Sequence, residues 1–261
     1  MKKLILLLAI QALMVAISGC ESFGAKFANP QQQEFDNFLS KKKKISQGLS
    51  NDIQKKEFYN QFEKDLFNYV DSVKLFVNWK GQIKEIKTKE SGQVTIVEFK
   101  IYYKPEENRE VVFQCINLVL TENLESNHIY NQVKNMSNYS PVFFDGFIRT
   151  DNNNQVYYEG RSPGNERNVS YPNYYFWIID IGAEKRNNSH SVNMQNAIDY
   201  CFKIVEPQRM QFRNQISKEE SNKMYNEMLP EFENLKSRLT EDERLYIQRI
   251  YDCSVSNIIS K

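Results

Sequence analysis

The apolar positions of this chain change period several times, and each change marks a different element. Leu4 to Ile17 is a continuous apolar run broken only by Gln11. A stretch without strong periodicity follows, through Asn29-Pro30 and three glutamines. Phe35, Phe38 and Leu39 then predict a short helix from Gln31 to Lys43. Asn51 with Gln54 is an N-terminal capping signature. Beyond it Phe58, Phe62, Leu66, Tyr69 and Val73 recur at helical spacing as one stripe, while Lys55, Lys56, Glu63 and Lys64 fill the other faces. From Lys74 the period becomes two. Leu75, Val77, Trp79 and Ile83 predict the inward side of a first strand, with Gly81 suited to a bulge or sharp coil. Val97, Phe99, Ile101 and Tyr103 predict a second strand, and Arg109 to Leu120 a third.

A short helix is expected from Asn123 to Met136, around Leu124, Ile129 and Val133. A fourth strand follows from Pro141 to Thr150, with Val142, Phe144 and Ile148 inward against Asp145 and Arg149, and a fifth from Tyr174 to Gly182. Three meandering strands, a helix and two further strands follow the order of an oligonucleotide/oligosaccharide-binding (OB) barrel. The region from Lys74 to Gly182 resembles that family in element order, turn lengths and the glycine of its first strand. The resemblance implies an α+β fold with a five-stranded OB-like barrel, flanked by an N-terminal helix and a C-terminal helical cap. An α+β sandwich of the same strands under helices is the structural alternative.

The cap is read from Ile198, Cys201, Phe202 and Val205, a stripe ended by Pro207. Ser217 with Glu220 is a capping box that opens the stripe Met224, Met228, Phe232, Leu235 and Leu239, with a kink or restart at Pro230. Thr240 with Glu243 is a second capping box, before Ile247, Tyr251, Ser254 and Ile258.

The apolar run at the start is preceded by Lys2 and Lys3 and ends in Ile17-Ser18-Gly19-Cys20. Its fourteen residues fall short of the roughly 20 that span hydrocarbon. Basic residues, a short apolar run and small residues before a cysteine resemble the lipobox signal of bacterial lipoproteins. That resemblance implies cleavage before Cys20 and acylation of Cys20, with several acyl chains giving a stable anchor. Glu21 after the cysteine implies the outer membrane, facing the periplasm. The expected organisation is therefore a signal peptide at 1–19, a lipidated tether with a short helix at 20–49, a helix plus barrel at 50–182 and a helical cap at 183–261. Lys41 to Lys44 read either as an attraction to an acidic membrane surface or as a solvated helix end that complements the helix dipole.

Composition narrows the function classes. The chain has 261 residues, 34 basic and 33 acidic, and loss of Lys2 and Lys3 leaves 32 basic. Such balance argues against nucleic acid as a partner, because phosphate contacts demand a basic excess. Hydrophobic residues make up 41%, enough for a substantial core. With Cys20 assigned to lipid, Cys115 reads as a buried strand residue, and Cys201 and Cys253 are either a disulfide pair or reduced and buried. No metal or cofactor is expected, since no Cys/His spacing and no nucleotide motif occurs. His128 reads as a helix-surface residue and His190 as part of a polar loop. The chain is not expected to be an enzyme, although two distant carboxylates of glycosidase type have no fixed spacing.

The connection from Asp151 to Asn173 is long for a structureless link and therefore a candidate binding loop. Its Tyr157, Tyr158, Arg161, Arg167 and Tyr171, set among small polar residues, form the candidate binding set. A second candidate is the outer face of the first two strands, with Phe76, Asn78, Lys80, Glu98, Lys100 and Tyr102. The expected function is a membrane-anchored, non-catalytic binding module for an envelope protein or glycan partner. The alternatives are a structural component of an envelope assembly, contacting it through the C-terminal helices, and an envelope hydrolase.

Overall fold

A computed structural model describes residues 30–106, 109–151, 153–160, 164–186 and 190–259. Cys20, the signal and Arg161 lie outside the described residues. No helix among the described residues is long and apolar enough to cross a membrane.

The fold is α+β. Helices α1 (Pro30–Gln47) and α2 (Asp52–Val73) precede strands β1 (Phe76–Ser91), β2 (Val94–Glu106) and β3 (Arg109–Leu120). A 3₁₀ turn (Thr121–Ser126) and helix α3 (His128–Val133) lead to β4 (Pro141–Ile148), helix α4 (Glu166–Ser170) and β5 (Asn173–Gly182). The chain closes with α5 (Val192–Ile204), α6 (Glu206–Phe212), α7 (Lys218–Ser237) and α8 (Glu241–Ile259). The five strands form a closed barrel in the order β1-β2-β3-β5-β4, which is consistent with the OB-like expectation. Only β3 and β5 pair in parallel, because the excursion through α3 and β4 supplies the crossover that parallel neighbours need.

Closure depends on β1, which pairs with β4 over its first half and with β2 over its second. Gly81 sits where it changes partners. A Cβ there would meet Ile101 Cγ2 at 2.4 Å, so the close approach requires glycine.

The alternation expected of β1 is corrected at its start. Asn78 takes a φ of 55°, and the register against β4 slips between Phe76 and Trp79. The extra residue turns Phe76 and Trp79 both into the barrel, where their rings lie 4.3 Å apart. Phe76 is therefore core and not outer face, while Leu75 and Val77 pack beneath the cap. The inward set of β2 and the bounds of β3 match expectation. The helix expected over 123–136 is two pieces, because Asn127 ends the 3₁₀ turn and caps α3 with its side chain.

Helix α1 is the helix expected over Gln31–Lys43, extended at both ends, and it packs as an integral wall of the barrel. Phe35 and Leu39 are fully buried. The Phe35 ring lies 5.3 to 6.1 Å from those of Tyr69, Trp79, Phe76 and Tyr174. The glutamines that read as linker act as a substitute strand for the free edge of β1. Gln32 accepts from Lys80 N at 3.0 Å and donates to Lys80 O at 2.9 Å. Gln31 accepts from Trp79 Nε1 at 2.8 Å and donates to Leu75 O at 3.1 Å. Backbone groups at the barrel mouth that lack a strand partner are thereby satisfied. Asp36 forms a buried ion pair with Arg109 of β3, and Lys42 pairs with Asp65 of α2.

The cap packs on the outer side of β4 and β5. Phe147 and Ile179 meet Ile198, Cys201, Ile204, Ile247 and Ile250 in a second core. Pro207 opens α6 in its first turn, and α7 runs through Pro230 without interruption. The pairing of Cys201 with Cys253 is not present: Cys115, Cys201 and Cys253 are all free thiols. Burial pushes all three thiols upward, that of Cys253 to about 12.

Candidate functional site

The described part of the connection between β4 and β5 is folded by local side-chain and backbone hydrogen bonds. Asp151 Oδ1 accepts from the amides of Asn153 and Gln155, both at 2.8 Å, folding the chain into a turn. Val156 and Tyr158 then bridge to Thr150 and Tyr174, forming a small extension of the sheet. Helix α4 follows, capped by Asn165.

What fixes this loop to the body is Glu63 of α2. Its carboxylate accepts from Tyr158 Oη at 2.9 Å, Gly164 N at 2.9 Å and Asn168 Nδ2 at 3.3 Å. Glu63 is buried beneath the loop rather than placed on an outer face of α2. Burial raises its carboxyl above the ordinary range, against the opposing pull of the three donors. A raised carboxyl contributes stability that is complete below the unfolded value and is lost as pH rises through the folded one. Wild type should therefore gain on Glu63→Gln at acid pH and lose that relative advantage on the way to neutrality, in urea midpoints taken across the series. A difference that grows with pH would show that the donors outweigh burial.

The candidate residues of this loop separate into three groups. Tyr158 is 5% exposed and packs on Tyr174, so it is a core residue and its place in a surface-binding set is corrected. Tyr157 is half-buried with the Arg149 guanidinium 4.5 Å above its ring. Arg167 and Tyr171 are exposed on α4 and just after it. None of these four lines the groove that the loop encloses against α2.

That groove has a volume of about 810 Å³. Its polar walls are amides: Asn60 and Asn68 from α2, and Asn153, Asn154 and Gln155 from the loop. Glu63, Lys64 and Phe67 line it as well. Each amide offers a donor and an acceptor, so these walls suit a ligand rich in hydroxyl or amide groups. The sequence marks out the loop by its length but not these amides, because asparagine in a loop reads as turn chemistry and on a helix as a solvated face. A neighbouring cavity of about 520 Å³ shares Phe67 and Asn154 with the groove and runs on toward the cap.

The outer face of β1 and β2 is occupied by its own contacts. Glu85 accepts from Tyr102 Oη at 3.0 Å and pairs with Lys100 at 3.1 Å, which holds its carboxyl below the usual range. Lys84 stands 3.9 Å over the Tyr102 ring. Asn78 is buried and engaged with Asp145 through its backbone amide.

A polar cluster sits where barrel and cap meet, and it brings together both histidines of the chain. Asp145 of β4 faces outward as expected, but the cap covers it completely. Its Oδ1 accepts from Asn78 N at 2.7 Å, and its Oδ2 takes Tyr246 Oη at 2.5 Å and Arg186. Arg186 also pairs with Asp180, whose Oδ1 lies 2.7 Å from His128 Nε2 and accepts from Ile181 N. His128 is thus half-buried in a charged joint and not a simple helix-surface residue. Burial and the nearby Arg186 lower the imidazole of His190 below its ordinary value. The carboxylate oxygens of Asp145 and Asp180 are all engaged, which suits a joint between two layers. Among the described residues no group of three His, Cys, Asp or Glu side chains is placed to hold a metal.

Compared with protein-family models, with curated proteins and with solved structures, the chain matches none.

Proposed function

We propose that the protein is a lipid-anchored binding module of a bacterial envelope, held at Cys20, whose OB-like barrel presents a groove to a protein or glycan partner. The carrying observation is the loop between β4 and β5, which Glu63 pins so that it edges an amide-lined groove of about 810 Å³. Barrel order, parallel closure of β3 on β5 and a helix between β3 and β4 support the OB-like reading. In such barrels the loop between the fourth and fifth strands flanks the ligand face. The basic residues, apolar run and small residues before Cys20 support the anchor, and Glu21 after it supports the outer-membrane, periplasm-facing location.

One experiment on cells tests both halves. Cells fed an alkyne fatty acid should label the wild-type chain and not Cys20→Ser. Crosslinking of the same membranes should capture a partner with wild type, and several-fold less with a combined Asn60→Ser, Asn68→Ser and Gln155→Ser variant. These exposed substitutions should leave the folding transition within about 0.5 kcal/mol. An unlabelled wild type refutes the anchor, and equal capture by the variant refutes the groove.

A further inference from the structure

The cavity beside the amide groove has a different chemistry. Its floor is apolar, with Phe67 and Val70 from α2, Phe147 from β4 and Phe202 from α5. Its rim carries four cations, Lys74, Lys203, Arg209 and Arg213. Arg209 is satisfied by Glu206 at 3.1 Å and Asp71 at 3.9 Å, the two carboxylates that line the cavity. The other three have no carboxylate within 4 Å among the described residues. Lys74 and Lys203 stand over aromatic rings, 6.0 Å from Phe202 and 5.2 Å from Tyr200. Arg213 spends one Nη2 donor on Asn154 Oδ1 at 2.6 Å, while its buried Nε has no acceptor.

A second observation points the same way from another helix of the lining. Ser254 of α8 is 2% exposed and lines the cavity, yet its Oγ has no hydrogen-bond partner. Buried polar groups are ordinarily paired, and one that is not calls for an explanation. Two orphan donors on different elements, three cations without carboxylates and an aromatic floor share one explanation. We propose that this cavity binds an amphipathic anion, a carboxylate or phosphate head taken by Arg213 and the rim lysines with an apolar body lying on Phe67, Phe147 and Phe202. The volume of about 520 Å³ lies within the range of small-molecule sites. A guanidinium beside a shielded floor holds a carboxylate or phosphate more strongly than one in open solvent, because both the dielectric and the fork geometry favour it. The site adjoins the amide groove, with Phe67 and Asn154 common to both, and does not depend on the partner proposed there.

The head group could come from a membrane lipid or from a soluble metabolite, and two probes distinguish the sources. Calorimetric titration of the full chain should use dodecanoate below its micellar range and 1-naphthylacetate, a compact soluble anion. Dodecanol, 1-naphthylacetamide and inorganic phosphate serve as controls. At least one carboxylate should bind, at least tenfold tighter than its neutral counterpart and than phosphate. Preference for dodecanoate assigns the lipid source, and preference for 1-naphthylacetate the soluble one. Arg213→Gln and the exposed Lys203→Gln should each weaken binding severalfold with the thermal transition unchanged. Because Lys203 is on the surface, that variant keeps the test valid if Arg213→Gln folds poorly. No binding by either carboxylate, equal binding of the neutral analogues, or wild-type affinity in Lys203→Gln and in a folded Arg213→Gln overturns the proposal. Binding of phosphate as tight as that of the carboxylates removes the apolar half of it.

Discussion

Asp145→Ala is expected to lower the stability of the protein by about 3 to 5 kcal/mol, the range for removing one partner of a buried ion pair. The reason is how many groups depend on that carboxylate. Asp145 is fully buried between β4 and the cap, and it receives Asn78 N, Tyr246 Oη and Arg186. Alanine leaves a backbone amide and a phenol buried without acceptors, and a guanidinium with Asp180 as its remaining carboxylate. Each orphaned donor costs about 1 to 3 kcal/mol. Asp145→Asn keeps the shape and one acceptor, so it should fall between wild type and alanine. Urea unfolding followed by circular dichroism measures both variants. Hydrogen exchange should show the amides of α5 and α8 losing protection before those of β2 and β3, because the broken joint lies on the cap side. A loss below about 1 kcal/mol would mean that Arg186 and Tyr246 find other partners.

The lone acids behind this joint illustrate what the sequence could and could not convey. Asp145 and Asp180 each interrupt an apolar strand, and an acid inside such a run is a sign of a buried partner. The partners themselves are remote: Arg186 in the segment after β5, His128 on α3 and Tyr246 on α8. Only the closed barrel and its cap bring them together, so no local pattern names them. Where packing is governed by period alone, sequence pattern and structure agree. Val97, Phe99, Ile101 and Tyr103 alternate into the core, and β3 spans Arg109–Leu120 as expected. A single positive φ at Asn78 was enough to reverse the face of Phe76. In the loop, Val156 and Tyr158 stand two apart, a strand period that the surrounding asparagines and glycine concealed. The loop's length marked it out in the sequence. Its anchor, Glu63, was not legible there, because a glutamate on a helix reads as solvated until the chain 95 residues later returns to cover it.

Phe35→Ala should destabilise the protein by about 3 to 5 kcal/mol, the usual cost of truncating a buried phenylalanine. This side chain has no exposed surface, and it lies among the rings of Tyr69, Phe76, Trp79 and Tyr174 at the mouth of the barrel. Those rings come from α2, β1 and β5, so the cavity that alanine leaves cannot close by moving one element. The hydrogen bonds of Gln31 and Gln32 hold α1 to the β1 backbone and further prevent collapse into the space. Phe38→Ala is the matched control. Its ring packs on Phe62 and Tyr69 but is only partly buried, so its loss should be clearly smaller. A linker that merely tethers a folded body to a membrane would give no such contrast, since neither ring would then contribute to the unfolding free energy. Equal midpoints for wild type, Phe35→Ala and Phe38→Ala would therefore return residues 30–47 to the role of a tether. A graded loss makes α1 a wall of the barrel, with the proposed lipid attached ten residues before it at Cys20.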